Sequence, residues 1–273
     1  MAPASSITAA SRVLRGDAAD ATARRIAEEV PVALAYNNVV QAVMMATPQD
    51  LEDFAWGFSL TEGIVADPDE IVSVAVRAVA DGTEIHVTVE DEATARAASR
   101  ERKLVGRTSC GLCGVTSLAQ AVVAPRAVGR RLRVAHAALE TALAALPDFQ
   151  PLNRETHAVH AAAWAAPDGR ILLAREDVGR HNALDKLIGA MARGHVDPAH
   201  GFCVITSRCS YEMVQKAMMI GVEMLVAVSA PTGWALRLAE AAGMTLVAVA
   251  RADSQTVFTH PERLGLLPPS ETR

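Results

Sequence analysis

The sequence predicts an α/β protein in which a sheet with helices on both faces follows a small α+β unit. Three observations lead there. Beyond residue 200, short unbroken apolar runs at 203–206, 224–229 and 244–250 alternate with helix-periodic stretches at 211–220 and 234–242. Strands covered on both faces read as continuous apolar runs, and strand–helix repetition implies a parallel sheet. Before residue 105 the texture differs: alternating strands joined by Asn and Gly turns surround one helix. Finally, 51% of the 273 residues are hydrophobic and 21% are charged, which suits one large domain or two ordinary ones with ample core.

Residues 1–28 are Ala/Ser-rich and carry arginines, with no acid before Asp17. They are expected to be a disordered arm rather than a transit peptide. Alternation over 30–36, a turn at Asn37-Asn38 and a return over 39–45 predict a hairpin. Thr47-Pro48-Gln49-Asp50 offers a cap, a proline at the first helical position and an acid in the first turn. The apolar stripe Leu51, Phe54, Ala55, Phe58 and Leu60 then predicts a helix ending at Gly63. Strands at 71–79 and 84–89 flank Asp81-Gly82, and a polar helix-prone run covers 92–103. These place a small α+β domain at 29–105.

An alanine/leucine helix at 135–146 is stopped by Pro147, and a second hairpin pairs 158–165 with 171–174 across Asp168-Gly169. A helix over 181–193 leads into the alternating run, and a short strand lies near Val257. Ligands of such sheets bind at the carboxyl ends of the strands. The residues there are polar: Thr206-Ser207-Arg208, Ser229-Ala230-Pro231-Thr232 and Arg251-Ala252-Asp253-Ser254. The methionines Met213, Met218, Met219 and Met224 read as core filler, and His157 and His160 flank the first hairpin strand.

The net charge of −5 gives no basic field, so nucleic acid is not an expected partner. No apolar run reaches membrane-spanning length and no secretory h-region is present, so no membrane association is expected. Four cysteines are too few for a disulfide framework, and a cytoplasmic location with reduced thiols follows.

Two of the four, Cys110 and Cys113, lie in Gly106-Arg107-Thr108-Ser109-Cys110-Gly111-Leu112-Cys113-Gly114. Three glycines in nine residues predict a mobile loop, and a Ser-x-x-Gln capping box at Ser117 predicts a helix after it, within a segment spanning 106–130. Arg107 and the helix amides would favour a thiolate. A zinc site completed by Cys203 and Cys209 fits poorly, since Cys203 begins a buried strand. A thioredoxin-like pair should open a helix directly, whereas Gly114-Val115-Thr116 intervene. His181 and Cys209 stand where a deaminase would hold zinc, but Ala183 occupies the glutamate position. No permanently bound metal is expected.

The cysteine loop, together with Arg175-Glu176-Asp177-Val178-Gly179-Arg180-His181-Asn182-Ala183-Leu184-Asp185-Lys186, resembles the formate dehydrogenase accessory sulfurtransferase family, FdhD. Met45-Ala46-Thr47-Pro48, Glu62-Gly63, the stretch 210–217 and Ser229-Ala230-Pro231-Thr232 add to the resemblance. It implies a cytidine-deaminase-like three-layer carboxyl-terminal domain, here 131–273. It also implies a sulfur relay, in which a cysteine desulfurase loads a persulfide on Cys110, with Cys113 protecting or resolving it. The sulfur would pass to a molybdenum bis(molybdopterin guanine dinucleotide) client destined for the formate dehydrogenase catalytic subunit. The implied nucleotide site is Val249, Ala250, Arg251, Ala252, Asp253 and Ser254, and the implied assembly is a homodimer.

Arg180 and Arg208 join Arg251 as phosphate-gripping cations, Asp253 or Asp177 is a candidate for the guanine edge, and the Arg175–Lys186 stretch is expected to form a site wall. The chain departs from the family pattern at His157-Ala158, at Thr206-Ser207-Arg208 and at Val249. The competing functional expectation is a non-catalytic chaperone that delivers the cofactor, with the cysteines incidental.

Overall fold

The computed structural model describes residues 4–97 and 124–266, apart from positions 17 and 95. Its first surprise is the amino-terminal arm. Strands β1 (Ser6–Arg15) and β2 (Ala18–Ala27) pair antiparallel, from Ser6 opposite Ala27 to Arg15 opposite Ala18, instead of remaining disordered. Gly16 turns between them at φ +60°. The Ala/Ser composition hides this ribbon, because nearly all its side chains are exposed and no apolar face marks it. Arg25 and Ser6 tie it to Glu155.

A four-stranded sheet follows, in the order β4 (Val39–Ala46), β3 (Val30–Tyr36), β6 (Gly82–Val89), β5 (Ile71–Val79). Its two hairpins turn at Asn37-Asn38 and Asp81-Gly82, where the sequence places them, and its central strands pair in parallel. Val32, Leu34, Tyr36, Ile85, Val87 and Val89 point inward, as a period of two requires, onto helix α1 (Leu51–Thr61). That helix starts later than the capping signal suggests. Asp50 is at the cap position in a left-handed conformation, and Thr47 makes contacts in the following unit instead. Tertiary hydrogen bonds outcompete a local cap here. Of the predicted helix over 92–103, the described part is helical and buries Ala93 and Ala97.

The second sheet has six strands in the order β12 (Thr256–Thr259), β11 (Thr245–Ala248), β10 (Met224–Ala227), β9 (Phe202–Ile205), β7 (His160–Ala165), β8 (Ile171–Asp177). It is mixed rather than wholly parallel. Strands β9, β10 and β11 run parallel, while β7 is antiparallel to both β8 and β9, and β12 is antiparallel to β11. The reason is connectivity: β7 and β8 form a tight hairpin, which only antiparallel strands allow. One face carries α2 (His136–Ala145) through Leu139 and Ala142. A short helix, α3 (Pro151–Thr156), precedes β7 and was not evident from the sequence. The other face carries α4 (Arg180–Arg193), α5 (Tyr211–Met219) and α6 (Gly233–Ala242). Met213 and Met218 fill this core and Met224 the core on the opposite face, each fully buried.

The two units share one continuous core because α1 lies directly on α4. Backbone meets backbone at the crossing. A Cβ added at Gly57 would lie 1.7 Å from the carbonyl oxygen of Asp185, and one at Gly189 would lie 1.8 Å from that of Asp53. Neither neighbour is a flexible side chain that can yield. Gly189→Ala is therefore expected to cost at least about 3 kcal/mol by forcing the helices apart. Urea denaturation of the variant checks this, and a midpoint within error of the parent would contradict the crossing.

Candidate functional site

Local chemistry explains much of the segment 175–186: Arg175, Glu176, Asp177, Asp185 and Lys186 are engaged within the protein, while Arg180 and His181 lie at the start of the following helix. Strand β8 runs on to Asp177, three residues beyond the predicted end, and carries three charges into the junction between the units. Arg175 donates to Asp53 at 2.8 Å. The buried Glu176 accepts from the amides of Leu152 and Asn153, both at 2.8 Å, and so satisfies the start of α3. Burial raises its pKa and those amides act against the rise.

Asp177 is fully enclosed and saturated. One oxygen accepts from the Gly179 amide and the Asn182 side chain; the other accepts from the Thr47 amide at 3.0 Å and pairs with Lys186 at 2.6 Å. Lys186 also donates to the Thr47 carbonyl. Burial pulls the lysine pKa down, and the carboxylate offsets part of that. Asp177 therefore has no lone pair left for a guanine edge, which removes it as a ligand candidate.

A second enclosed network lies one turn along. Lys216 on α5 donates to Asp185 at 2.9 Å, to Glu62 at 3.0 Å and to Thr61 at 2.9 Å, and Thr61 in turn donates to Asp185. Two acids around one ammonium raise the lysine pKa against its burial. Burial, with Glu62 adding repulsion, pushes Asp185 up to about 6.

The carboxyl ends of β8, β9, β10 and β11 lie at one end of the sheet, together with the start of β7 and the first turns of α4, α5 and α6. This brings the predicted nucleotide-binding positions onto a common edge. Arg180 opens α4, beside β8 and β7, and is half-buried. Arg208 is exposed in the loop after β9. Val249 through Ser254 follow β11. Adjacent strands are about 4.8 Å apart, so the strip from β8 to β11 is roughly 19 Å long.

Within the β11 loop Val249 is exposed at φ +51°, a costly conformation for a β-branched residue. The amides of Val249 and Ala250 hold it to Ser229 and Ala227, and Ala250 is buried. Arg251 Nη1 folds back onto the carbonyls of Val228 and Ala250. Arg251, Ala252, Asp253 and Ser254 are exposed, and Ser254 donates to Asp253.

Cys110 and Cys113 lie outside the described residues. Cys203 and Cys209 are free and buried. Burial pushes the Cys209 thiol up to about 12 and the Cys203 thiol higher still, so both stay protonated and unreactive at neutral pH.

Three residues of this edge escaped the sequence reading as a group: His160, Ser210 and Glu212. Ser210 occupies the N-cap position of α5, yet its hydroxyl makes no cap bond to that helix. His160 is half-buried, its pKa lowered by burial and then by Arg180. His181 Nε2 stands 4.0 Å from Glu212. Burial, followed by the charges of Arg180 and Lys216, pushes His181 down to about 3.

The fold and this edge define a two-unit α/β protein with a polar, cation-bearing strip at the carboxyl ends of its larger sheet. Among the described residues, no helix is long and apolar enough to cross a membrane. A profile of the FdhD/NarQ family matches residues 27–265, and the chain belongs to that family. It is 49% identical over 241 residues to the sulfur carrier protein FdhD of Xanthomonas euvesicatoria, covering 88% of this chain and 86% of that protein. It is 47% identical over 262 residues to the protein of the same name from Cupriavidus necator, covering 96% and 91%. It is also similar to the crystal structure of a putative formate dehydrogenase accessory protein from Desulfotalea psychrophila. That match has a TM-score of 0.75 and 28% identity, and covers 95% of this chain and 99% of that one.

Two outcomes are expected of the buried networks. Lys186→Met leaves Asp177 enclosed without its cation and costs about 3–5 kcal/mol in urea denaturation, and Lys186→Met with Asp177→Leu does not recover the loss, because the Gly179 and Thr47 amides and the Asn182 side chain then lose their acceptor. Asp185 has a folded pKa above its ordinary 3.8, so the folded state binds more protons than the unfolded one between pH 4 and about 6. Its contribution to stability therefore falls as pH rises through that window. Asp185→Asn should flatten the fall, measured as the urea midpoint against pH.

Proposed function

We propose that this chain is a sulfur carrier that accepts sulfane sulfur as a persulfide on Cys110. The observation that carries the reading is the pair Cys110-Gly111-Leu112-Cys113 in a chain about half identical to proteins named sulfur carrier protein FdhD. The inert state of Cys203 and Cys209 supports it by leaving the chemistry to this pair.

In the proposed relay the Cys110 thiolate attacks the terminal sulfur of a persulfide on a cysteine desulfurase. A new S–S bond forms on Cys110, the donor's S–S bond breaks, and the donor cysteine leaves as a thiolate. Release as sulfide requires a second electron pair. The Cys113 thiolate supplies it by attacking the Cys110 sulfur, forming a Cys110–Cys113 disulfide and expelling hydrosulfide, and a cellular thiol then reduces the disulfide.

The client in this reading is the molybdenum bis(molybdopterin guanine dinucleotide) cofactor of a formate dehydrogenase catalytic subunit. It would lie along the strip of Arg180, Arg208 and the loop from Val249 to Ser254, and the strained Val249 backbone supports a ligand-shaped loop there. The order β8-β7-β9-β10-β11, with β7 antiparallel to both its neighbours and three helices on one face, supports a cytidine-deaminase-like larger domain. A cytoplasmic homodimer completes the reading.

Cys110→Ala is expected to abolish activation of formate dehydrogenase while leaving cofactor binding intact. After incubation of the parent protein with desulfurase and cysteine, mass spectrometry should find a one-sulfur adduct on the Cys110 peptide. Activation that survives the substitution would make the protein a cofactor-delivering chaperone instead.

A further inference from the structure

Three polar atoms at the meeting of α4 and α5 are shut away from solvent with no hydrogen-bond partner: Arg180 Nε, His181 Nε2 and Ser210 Oγ. A buried polar atom left unpaired is costly, so three at one junction call for an explanation beyond packing. The residues are brought together by the fold. Arg180 and His181 are the first two residues of α4, Ser210 is the N-cap of α5, and Glu212 in the first turn of α5 stands 4.0 Å from His181. Neither the fourteen-residue nor the nine-residue helix has a side-chain cap at its start, so the first-turn amides of both carry uncompensated positive ends close to this junction.

The donors have a common sense. An arginine Nε–H can only donate, and a serine hydroxyl is able to. His181 is neutral, and the carboxylate of Glu212 favours the tautomer with hydrogen on Nε2, which makes it a donor as well. Three donors at two helix starts suit an anion. Glu212 adds a restriction, because a bare anion would meet its negative charge. An anion that carries its own hydrogen can instead donate to that carboxylate.

We propose that Arg180, His181, Ser210 and Glu212 form a binding site for one compact, hydrogen-bearing anion, such as a monohydrogen phosphate group or hydrosulfide. The three donors hold the anion and Glu212 accepts its hydrogen. Sulfate, of similar size to phosphate but without a hydrogen at neutral pH, is rejected. The site shares Arg180 with the proposed cofactor strip and to that extent rests on that reading, but it does not depend on whether Cys110 carries sulfur, so the anion titration and the Cys110 adduct succeed or fail separately.

Isothermal titration of the full chain with inorganic phosphate, anaerobic hydrosulfide and sulfate tests this. One equivalent of phosphate or hydrosulfide should bind at least about tenfold more tightly than sulfate. Binding of phosphate alone points to a phosphoryl ligand, and binding of hydrosulfide alone points to a sulfur anion. Ser210→Ala and His181→Leu should each weaken binding about tenfold, His181→Gln should keep most of it by restoring a donor, and Glu212→Gln should narrow the gap to sulfate. Thermal melting verifies that each variant is folded, and Ser210→Ala decides the matter if His181→Leu is not. The proposal is overturned if neither phosphate nor hydrosulfide binds, if sulfate binds as well, or if Ser210→Ala leaves affinity unchanged.

Discussion

The crossing of α1 over α4 is the constraint on which the rest of the structure depends. Two helices approach this closely only where neither presents a side chain, and Gly57 and Gly189 provide that. The close approach removes water from the charged residues on either side. Lys186 with Asp177, and Lys216 with Asp185 and Glu62, must then pair completely, because a buried charge left alone costs more than the pair returns. The junction is thus strict about its partners even if its net contribution to stability is modest.

The same junction sets the functional edge. Asp177 fixes the turn from β8 into α4 through the Gly179 amide and the Asn182 side chain, and so fixes where Arg180 and His181 emerge. Lys216 anchors α5 against α1, which places Ser210 and Glu212 beside them. Charges that look like ligand contacts in the linear sequence are therefore one layer beneath the polar edge. They hold the geometry, and the uncapped helix starts present it.

Where the larger sheet ends, the described thiols are buried while polar side chains reach the surface. The described cysteines are core residues with protonated thiols, packed among Ile205, Met213 and Val214. The polar strip, by contrast, bears cations, hydroxyls and one strained valine, and Cys209, which lies between Arg208 and Ser210, is fully buried beneath it.

The sequence by itself determined the elements whose signals are local. The Asn37-Asn38 and Asp81-Gly82 hairpins, the apolar runs of β9, β10 and β11, and the stripe of α1 are legible because turn chemistry and periodicity act over a few residues. The polar residues at the strand ends were legible for the same reason. Only the tertiary structure decided the rest. It moved Thr47 from a cap to a cross-junction partner and made Asp177 and Lys186 an enclosed pair. It left the Ser210 hydroxyl uncapped and folded the apolar-poor arm into a ribbon. Thr47 finds its partners about 130 residues away, the arm is tied to Glu155 at a similar separation, and Asp177 and Lys186 are enclosed only when Thr47 arrives, so no window of neighbouring residues records which distant group claims a charge.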